Sequence, residues 1–231
     1  MRPTLPWLTV ITAWLGTASA VYIETNVYDC DSGNAVDSNN GARYVFRHNQ
    51  VSDSYVMAHG SQWGRGTFSY EVYGNSMVDG PSAWAPFSMR GGTGVIYDNV
   101  CTDFLYGAGR INIYYDRSCG PAQLDCACDG TCHLDGNEDA SGYPCLDQIG
   151  RSTDASDSAV HPQALEPLYE WDNTNDGEDI DMMLHDSCDH YVDHMQEGRD
   201  YFTDTERPGY VPYVYPHPLA TIDGGATNTC N

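Results

Sequence analysis

Arg47, His59, Glu71 and Arg90 could together carry out β-elimination on an acidic polysaccharide. That reaction neutralises a uronate carboxylate and removes the adjacent proton, so it needs a cation and a base. Glu71 could accept the proton or hold a cation. Tyr73 and Tyr97 offer faces on which a sugar ring could stack, and His48 and Arg65 could add polar contacts. His59 precedes and Arg65 lies within a glycine-rich bend, Gly60 to Gly66, that could overhang an exposed sheet. Hydrolysis is less well served, because it needs two carboxylates flanking one bond and Glu71 has no clear partner. A structural reading stands beside the catalytic one. In it Arg47 pairs with Glu24, His48 is a turn residue and Arg90 lies on the surface.

These residues sit on a repeat. Asn26, Asn49, Asn75 and Asn99 each end a similar phrase: VYIETN, YVFRHN, YEVYGN and GVIYDN. The intervals are 23, 26 and 24 residues, from 26 to 49, 49 to 75 and 75 to 99. Three residues before each Asn stands an apolar residue: Ile23, Phe46, Val72 or Ile96. Two residues after it stand Tyr28, Val51, Met77 and Cys101. Such a period with strand-like alternation predicts a parallel β-solenoid, whose coils bury their inner faces by stacking. Asn suits a bend that needs left-handed backbone, and stacked Asn amides can hydrogen-bond from coil to coil. A further copy, YEWDNT, ends at Asn173, and the 74-residue interval from Asn99 reads as about three coils with an insertion. If the apolar columns point inward, Glu24, Arg47, Tyr73 and Tyr97 point outward together. Aligned coils then set Glu24 beside Arg47 and stack Tyr73 on Tyr97.

The charge balance narrows the partners. There are 33 acidic residues against 10 basic ones, and every basic residue is Arg. A net charge of −23 argues against nucleic-acid binding, which needs a basic surface. A dense Asp surface fits high salt or divalent cations, and calcium is the cofactor it would suit. Two loops are candidate oxygen sites: Asp135, Asn137 and Asp139, and the run Asp172 to Gly177. The second lacks the twelfth-position Glu of an EF-hand, having Met183 there, and a turn between strands explains its Asp-Gly better. No metal ligand set is assigned.

Nine cysteines suggest an oxidising, extracellular setting. Cys126, Cys128, Cys132 and His133 could bind zinc, but with Cys119 and Cys145 nearby disulfides fit better. Residues 1–20 read either as a secretory signal cleaved before Val21 or as part of a preceding coil. No other segment is apolar and long enough to span a membrane. Residues 21–115 read as coils, 116–165 as a Cys/Asp/Gly-rich insertion pinned by disulfides, and 166–197 as a further coil. Residues 198–231 read as a Pro- and Tyr-rich tail capping the solenoid end, since its prolines forbid a regular ladder.

The phrases VYIETN, ARYVFRHN, YEVYGN and RGGTGVIYDN, with GYPCLDQIGR, QALEPLYEWDNT and PGYVPYVYPHPL, resemble secreted right-handed parallel β-helix proteins of the pectate-lyase-like superfamily. The resemblance spans roughly residues 15–220. It implies an all-β right-handed solenoid and, for the lyases of the group, an Arg or Lys base with bound calcium. Lys-dependent versions are excluded by composition. Because no diagnostic catalytic motif matches residue by residue, two functions stay open. One is a polysaccharide lyase; the other is a non-catalytic surface, adhesion or carbohydrate-binding solenoid, perhaps one end of a longer chain.

Overall fold

The structure is a computed structural model that describes residues 15–31, 33–60, 66–80, 85–105, 110–111, 147–152, 164–184, 195–220 and 227–230. Among them the regular structure is all strand. The first coil holds β1 (Val21–Glu24), β2 (Val27–Cys30) and β3 (Asn34–Ser38). The second holds β4 (Arg43–Arg47), β5 (Gln50–Ser52) and β6 (Tyr55–Ala58), and the third β7 (Ser69–Tyr73), β8 (Ser76–Val78) and β9 (Phe87–Met89). Next come β10 (Thr93–Tyr97), β11 (Val100–Thr102) and β12 (Arg110–Ile111), then the pair β13 (Arg151–Ser152) and β14 (Ala164–Leu165). The chain continues through β15 (Leu168–Trp171), β16 (Thr174–Asn175), β17 (Glu178–Asp179) and β18 (Met183–Leu184) to β19 (Tyr201–Phe202) and β20 (Thr227–Cys230).

Corresponding strands stack into three sheets. The first runs β1-β4-β7-β10-β15-β19, the second β17-β16-β11-β8-β5-β2-β20 and the third β18-β12-β9-β6-β3. Pairing within these sheets is parallel except between β16 and β17, and the separate β13–β14 pair is antiparallel. The chain is therefore a parallel β-solenoid, as the repeat predicts.

The predicted inward columns form the core. Phe46, Val72 and Ile96 are fully buried, as are Met77 and Cys101, with Val51 nearly so. Ile23 and Tyr28, in the first coil, are partly buried against them. Each buried side chain of this size stabilises by roughly 1.5–3 kcal/mol relative to exposure. The third sheet closes the core with Val56, Ala58, Phe87 and Met89.

The Asn column builds a continuous amide ladder. Asn26 Nδ2 donates to Asn49 Oδ1 at 3.2 Å, Asn49 Nδ2 to Asn75 Oδ1 at 3.1 Å, and Asn75 Nδ2 to Asn99 Oδ1 at 2.9 Å. Asn99 Nδ2 donates to Asn173 Oδ1 at 2.8 Å. Each Oδ1 also accepts the backbone N–H of the preceding coil's Asn. Two expectations change here. The left-handed residue at the bend is the one before the Asn: Thr25, His48, Gly74, Asp98 and Asp172 all have φ between 52° and 63°. The Asn is thus free to ladder while its neighbour turns the chain. Asn173 also lies one level beyond Asn99, not about three, because β10 pairs directly with β15. Of the intervening residues, β11 and β12 belong to the second and third sheets, and the chain returns to the first sheet with β15 at the adjacent level.

Asp176 and Gly177 form the expected turn, both with positive φ, between antiparallel β16 and β17. Glycine-rich bends permit close backbone approach. A Cβ on Gly91 would lie 2.6 Å from the Asp147 carbonyl oxygen, and one on Gly94 would lie 2.0 Å from that of Tyr70. Cys119, Cys126, Cys128, Cys132 and Cys145 lie outside the described residues, as do Asp135, Asn137 and Asp139. Cys30 is disulfide-bonded, and Cys230 is its register neighbour across the β2–β20 pair.

The tail does more than cover one end: its strands β19 and β20 add the terminal strands of the first and second sheets. Residues 207–217 cross the outer face of the first sheet, and β20 then pairs with β2, in the first coil. The tail's four prolines supply no N–H for a strand ladder, and side chains of the sheet bind its backbone instead.

Candidate functional site

The outer face of the first sheet carries two side-chain columns. One runs Glu24, Arg47, Tyr73, Tyr97 and Trp171, and the other Tyr22, Val45, Glu71, Val95 and Tyr169. The expected neighbours are present. Arg47 Nη2 lies 2.6 Å from Glu24 Oε2, and the Tyr73 and Tyr97 rings stack at 4.7 Å and 14°. Trp171 extends the stack at 4.4 Å and 4°.

Arg47 is fully buried, and all five of its N–H donors have partners. Nε donates to Glu24 Oε2 at 2.7 Å, and Nη1 donates to Tyr73 Oη at 2.7 Å and to the Tyr213 carbonyl at 2.6 Å. Nη2 donates to the Val214 carbonyl at 2.9 Å and faces Glu24. The other Glu24 oxygen, Oε1, accepts the His217 N–H at 2.7 Å. An acid–base pair from two coils thus grips the tail by its main chain.

Glu71 is also covered. It accepts the Tyr210 hydroxyl at 2.5 Å and the Gly16 N–H at 2.7 Å. Burial raises its pKa, and the two hydrogen bonds pull in the opposite direction. Burial and the neighbouring Glu71 carboxyl raise the pKa of Tyr210. Its ring meets Tyr97 edge-on at 5.8 Å. His48 packs on Tyr215 at 4.0 Å, and burial, then Arg47, lowers its pKa. A cavity of about 220 Å³ lies between residues 15–17 and residues 207–211, and Arg207 beside it pairs with Glu166.

His59 and Arg90 are elsewhere. They follow β6 and β9, on the third sheet, where His59 Nε2 lies 2.7 Å from Asp37 Oδ1. The hydrogen bond from His59 lowers the Asp37 pKa, and Arg90 adds a smaller charge effect. Among the described residues the buried His59 Nδ1 has no hydrogen-bond partner. The predicted set therefore divides: Arg47, His48, Glu71, Tyr73 and Tyr97 share one face, and His59 with Arg90 form a separate corner. Arg65 lies outside the described residues.

Among the described residues no three His, Cys, Asp or Glu side chains are grouped to hold a metal ion. The Asp172–Gly177 run is occupied by its hairpin, where Asp176 Oδ1 accepts the Asp103 N–H at 3.1 Å. Among those residues no helix is long and apolar enough to cross a membrane.

Sequence reasoning missed two features. Aligning YEWDNT on the repeat would have placed Trp171 in the outer aromatic column. It would also have placed Glu170 in the inward column, opposite Ile96. Glu170 is 2% exposed, and its Oε1 accepts Asn173 Nδ2 at 2.7 Å, so it ends the amide ladder. The tail's docking had no such signal, since no periodicity links residues 207–217 to the coils. No family model, curated protein or solved structure matches this chain.

Proposed function

We propose that the chain is an extracellular carbohydrate-binding solenoid that is not itself a lyase. One observation carries the second half of this reading. Arg47, the arginine of the predicted set that lies on the first sheet, has every donor engaged, two of them by its own tail. A guanidinium so committed has no donor left to neutralise a uronate carboxylate. Glu71, the intended base, is capped by Tyr210. The carbohydrate half is supported by half-buried aromatics beyond the tail's main contacts. Tyr169 and Phe202 stack at 4.9 Å and 5°, and because Phe202 lies on the last strand of the first sheet its outer ring face is the one a sugar ring could stack on. The residue-level resemblance to secreted right-handed β-helix proteins of the pectate-lyase-like superfamily points the same way.

The test is the full chain incubated with pectate, alginate and chondroitin, with Ca²⁺ and with chelator. Retention of one polymer with no unsaturated product is expected. A second reading has its own support, because the Asp37–His59 pair beside Arg90 is an oriented base next to a cation. Unsaturated product that vanishes in His59→Ala but persists in Glu71→Gln would move the function to that corner. Retention of no polymer would remove the carbohydrate reading.

A further inference from the structure

We propose that the outer face of the first sheet is a peptide-recognition groove whose second occupant is the Pro/Tyr-rich segment of another copy of this chain. The inference does not rest on the carbohydrate reading. It rests on how the groove holds its own segment.

The contacts read a peptide at fixed positions. Two consecutive carbonyls, Tyr213 and Val214, dock on the two terminal nitrogens of Arg47. One N–H, that of His217, docks on Glu24 at 2.7 Å. Tyr210 delivers its hydroxyl to Glu71 at 2.5 Å, three residues before the first of those carbonyls. Tyr213 packs on Tyr22 at 5.6 Å, and the Tyr215 hydroxyl meets Thr25 Oγ1 at 2.9 Å. Side chains from the three coils that carry Glu24, Arg47 and Glu71 thus recognise both the backbone and the tyrosines of an extended, proline-rich stretch. Aromatic-lined grooves that bind such segments exploit their low conformational entropy.

The same contacts make the segment exchangeable. It contributes no strand to the first sheet between residues 203 and 220. Its apolar side chains stay in water: Val211 is 72% exposed, Val214 55% and Leu219 84%. Its anchors are discrete polar and aromatic contacts, to Arg47, Glu24, Glu71, Thr25, Tyr22 and His48, and little aliphatic burial opposes its release. Every copy carries both the groove and its complement. Exchange of such an element between identical chains needs no new interface chemistry. Within one copy the segment's own attachment keeps it seated, so exchange is suppressed until that attachment is weakened.

The experiment uses the full chain and a fluorescent peptide of residues 206–219. The receptor carries Tyr210→Ala, Tyr213→Ala and Tyr215→Ala, which weaken its own segment and leave the groove side chains intact. Saturable anisotropy binding is expected, and binding to the unaltered chain should be at least about tenfold weaker because its groove is filled. A peptide of the same composition in scrambled order should not bind. No binding to a variant that keeps its β-sheet spectrum would overturn the proposal. Equal binding of the scrambled peptide would overturn it too, since the groove would then take any Pro-rich chain. If the triple variant loses its β-sheet spectrum, Tyr215→Ala alone takes its place, because Tyr215 is 45% exposed and outside the core.

Discussion

Replacing Asn75 with Ala cuts the amide ladder at its centre. Asn75 Oδ1 accepts the Asn49 N–H at 2.9 Å and Asn49 Nδ2 at 3.1 Å. Its Nδ2 donates to the Phe46 carbonyl at 3.0 Å and to Asn99 Oδ1 at 2.9 Å. The residue is 2% exposed, so water cannot replace these partners. Asn49 keeps its bond to the Ile23 carbonyl, and Asn99 Oδ1 keeps the Asn75 N–H. The main loss therefore falls on the Asn49 N–H and the Phe46 carbonyl. At ~1–3 kcal/mol for each unsatisfied buried group, the substitution costs about 2–6 kcal/mol. That is a large share of a total stability of roughly 5–15 kcal/mol. For a chain of this size the melting temperature should fall by about 4–24 °C. Asn26→Ala is the matched control. Asn26 is only partly buried and donates to its neighbours, so its loss should cost about 1 kcal/mol. Urea unfolding of both variants by circular dichroism measures the difference. Equal costs at the two positions would refute the claim that the ladder is continuous and cooperative.

Other residues give equally direct expectations. Burial raises the Glu170 pKa from 4.5 to about 7, against hydrogen bonds from Asn173 and backbone groups. The folded state therefore holds this proton to higher pH than the unfolded state. The stabilisation is full below pH 4.5 and is lost as pH rises to about 7, and the difference is worth about 3 kcal/mol at most. Glu170→Gln, titrated against the parent by urea unfolding at several pH values, should gain relative stability between those limits; a constant gap would contradict this. Gly94→Ala puts a Cβ 2.0 Å from the Tyr70 carbonyl oxygen, between two paired strands, and should cost about 3 kcal/mol or more in melting experiments. Arg47→Met leaves Glu24 buried without its cation and should destabilise by about 3–5 kcal/mol, while Glu24→Gln with Arg47→Met together should recover part of that loss.

The coils were legible because a solenoid repeats its constraints. Each level needs an apolar residue before the bend, a laddering Asn at it and an apolar residue after it, so Phe46, Asn49 and Val51 announce what Val72, Asn75 and Met77 repeat. The pairing of Glu24 with Arg47 and the stacking of Tyr73 on Tyr97 followed from register alone. The place of Asn173 was misjudged because sequence distance measures chain length and not height along the axis. The candidate site divided because His59 and Arg90 end strands of the third sheet while Glu71 lies on the first. The tail was harder still. Its partners, Arg47 and Glu24, are distant in sequence, and its prolines indicate only that it forms no ladder, not where it docks.

The central claim is that the chain's own Pro/Tyr segment covers the acid, base and aromatic column of the first sheet. Hydroxyl-radical footprinting of the intact protein, read by mass spectrometry, tests it most directly. Tyr73 is 5% exposed beneath the segment and Tyr215 is 45% exposed upon it. The account predicts that Tyr215 is labelled and Tyr73 is protected, and that Tyr73 gains labelling when Tyr210, Tyr213 and Tyr215 are replaced by Ala. Labelling of Tyr73 in the native chain as fast as Tyr215 would contradict it.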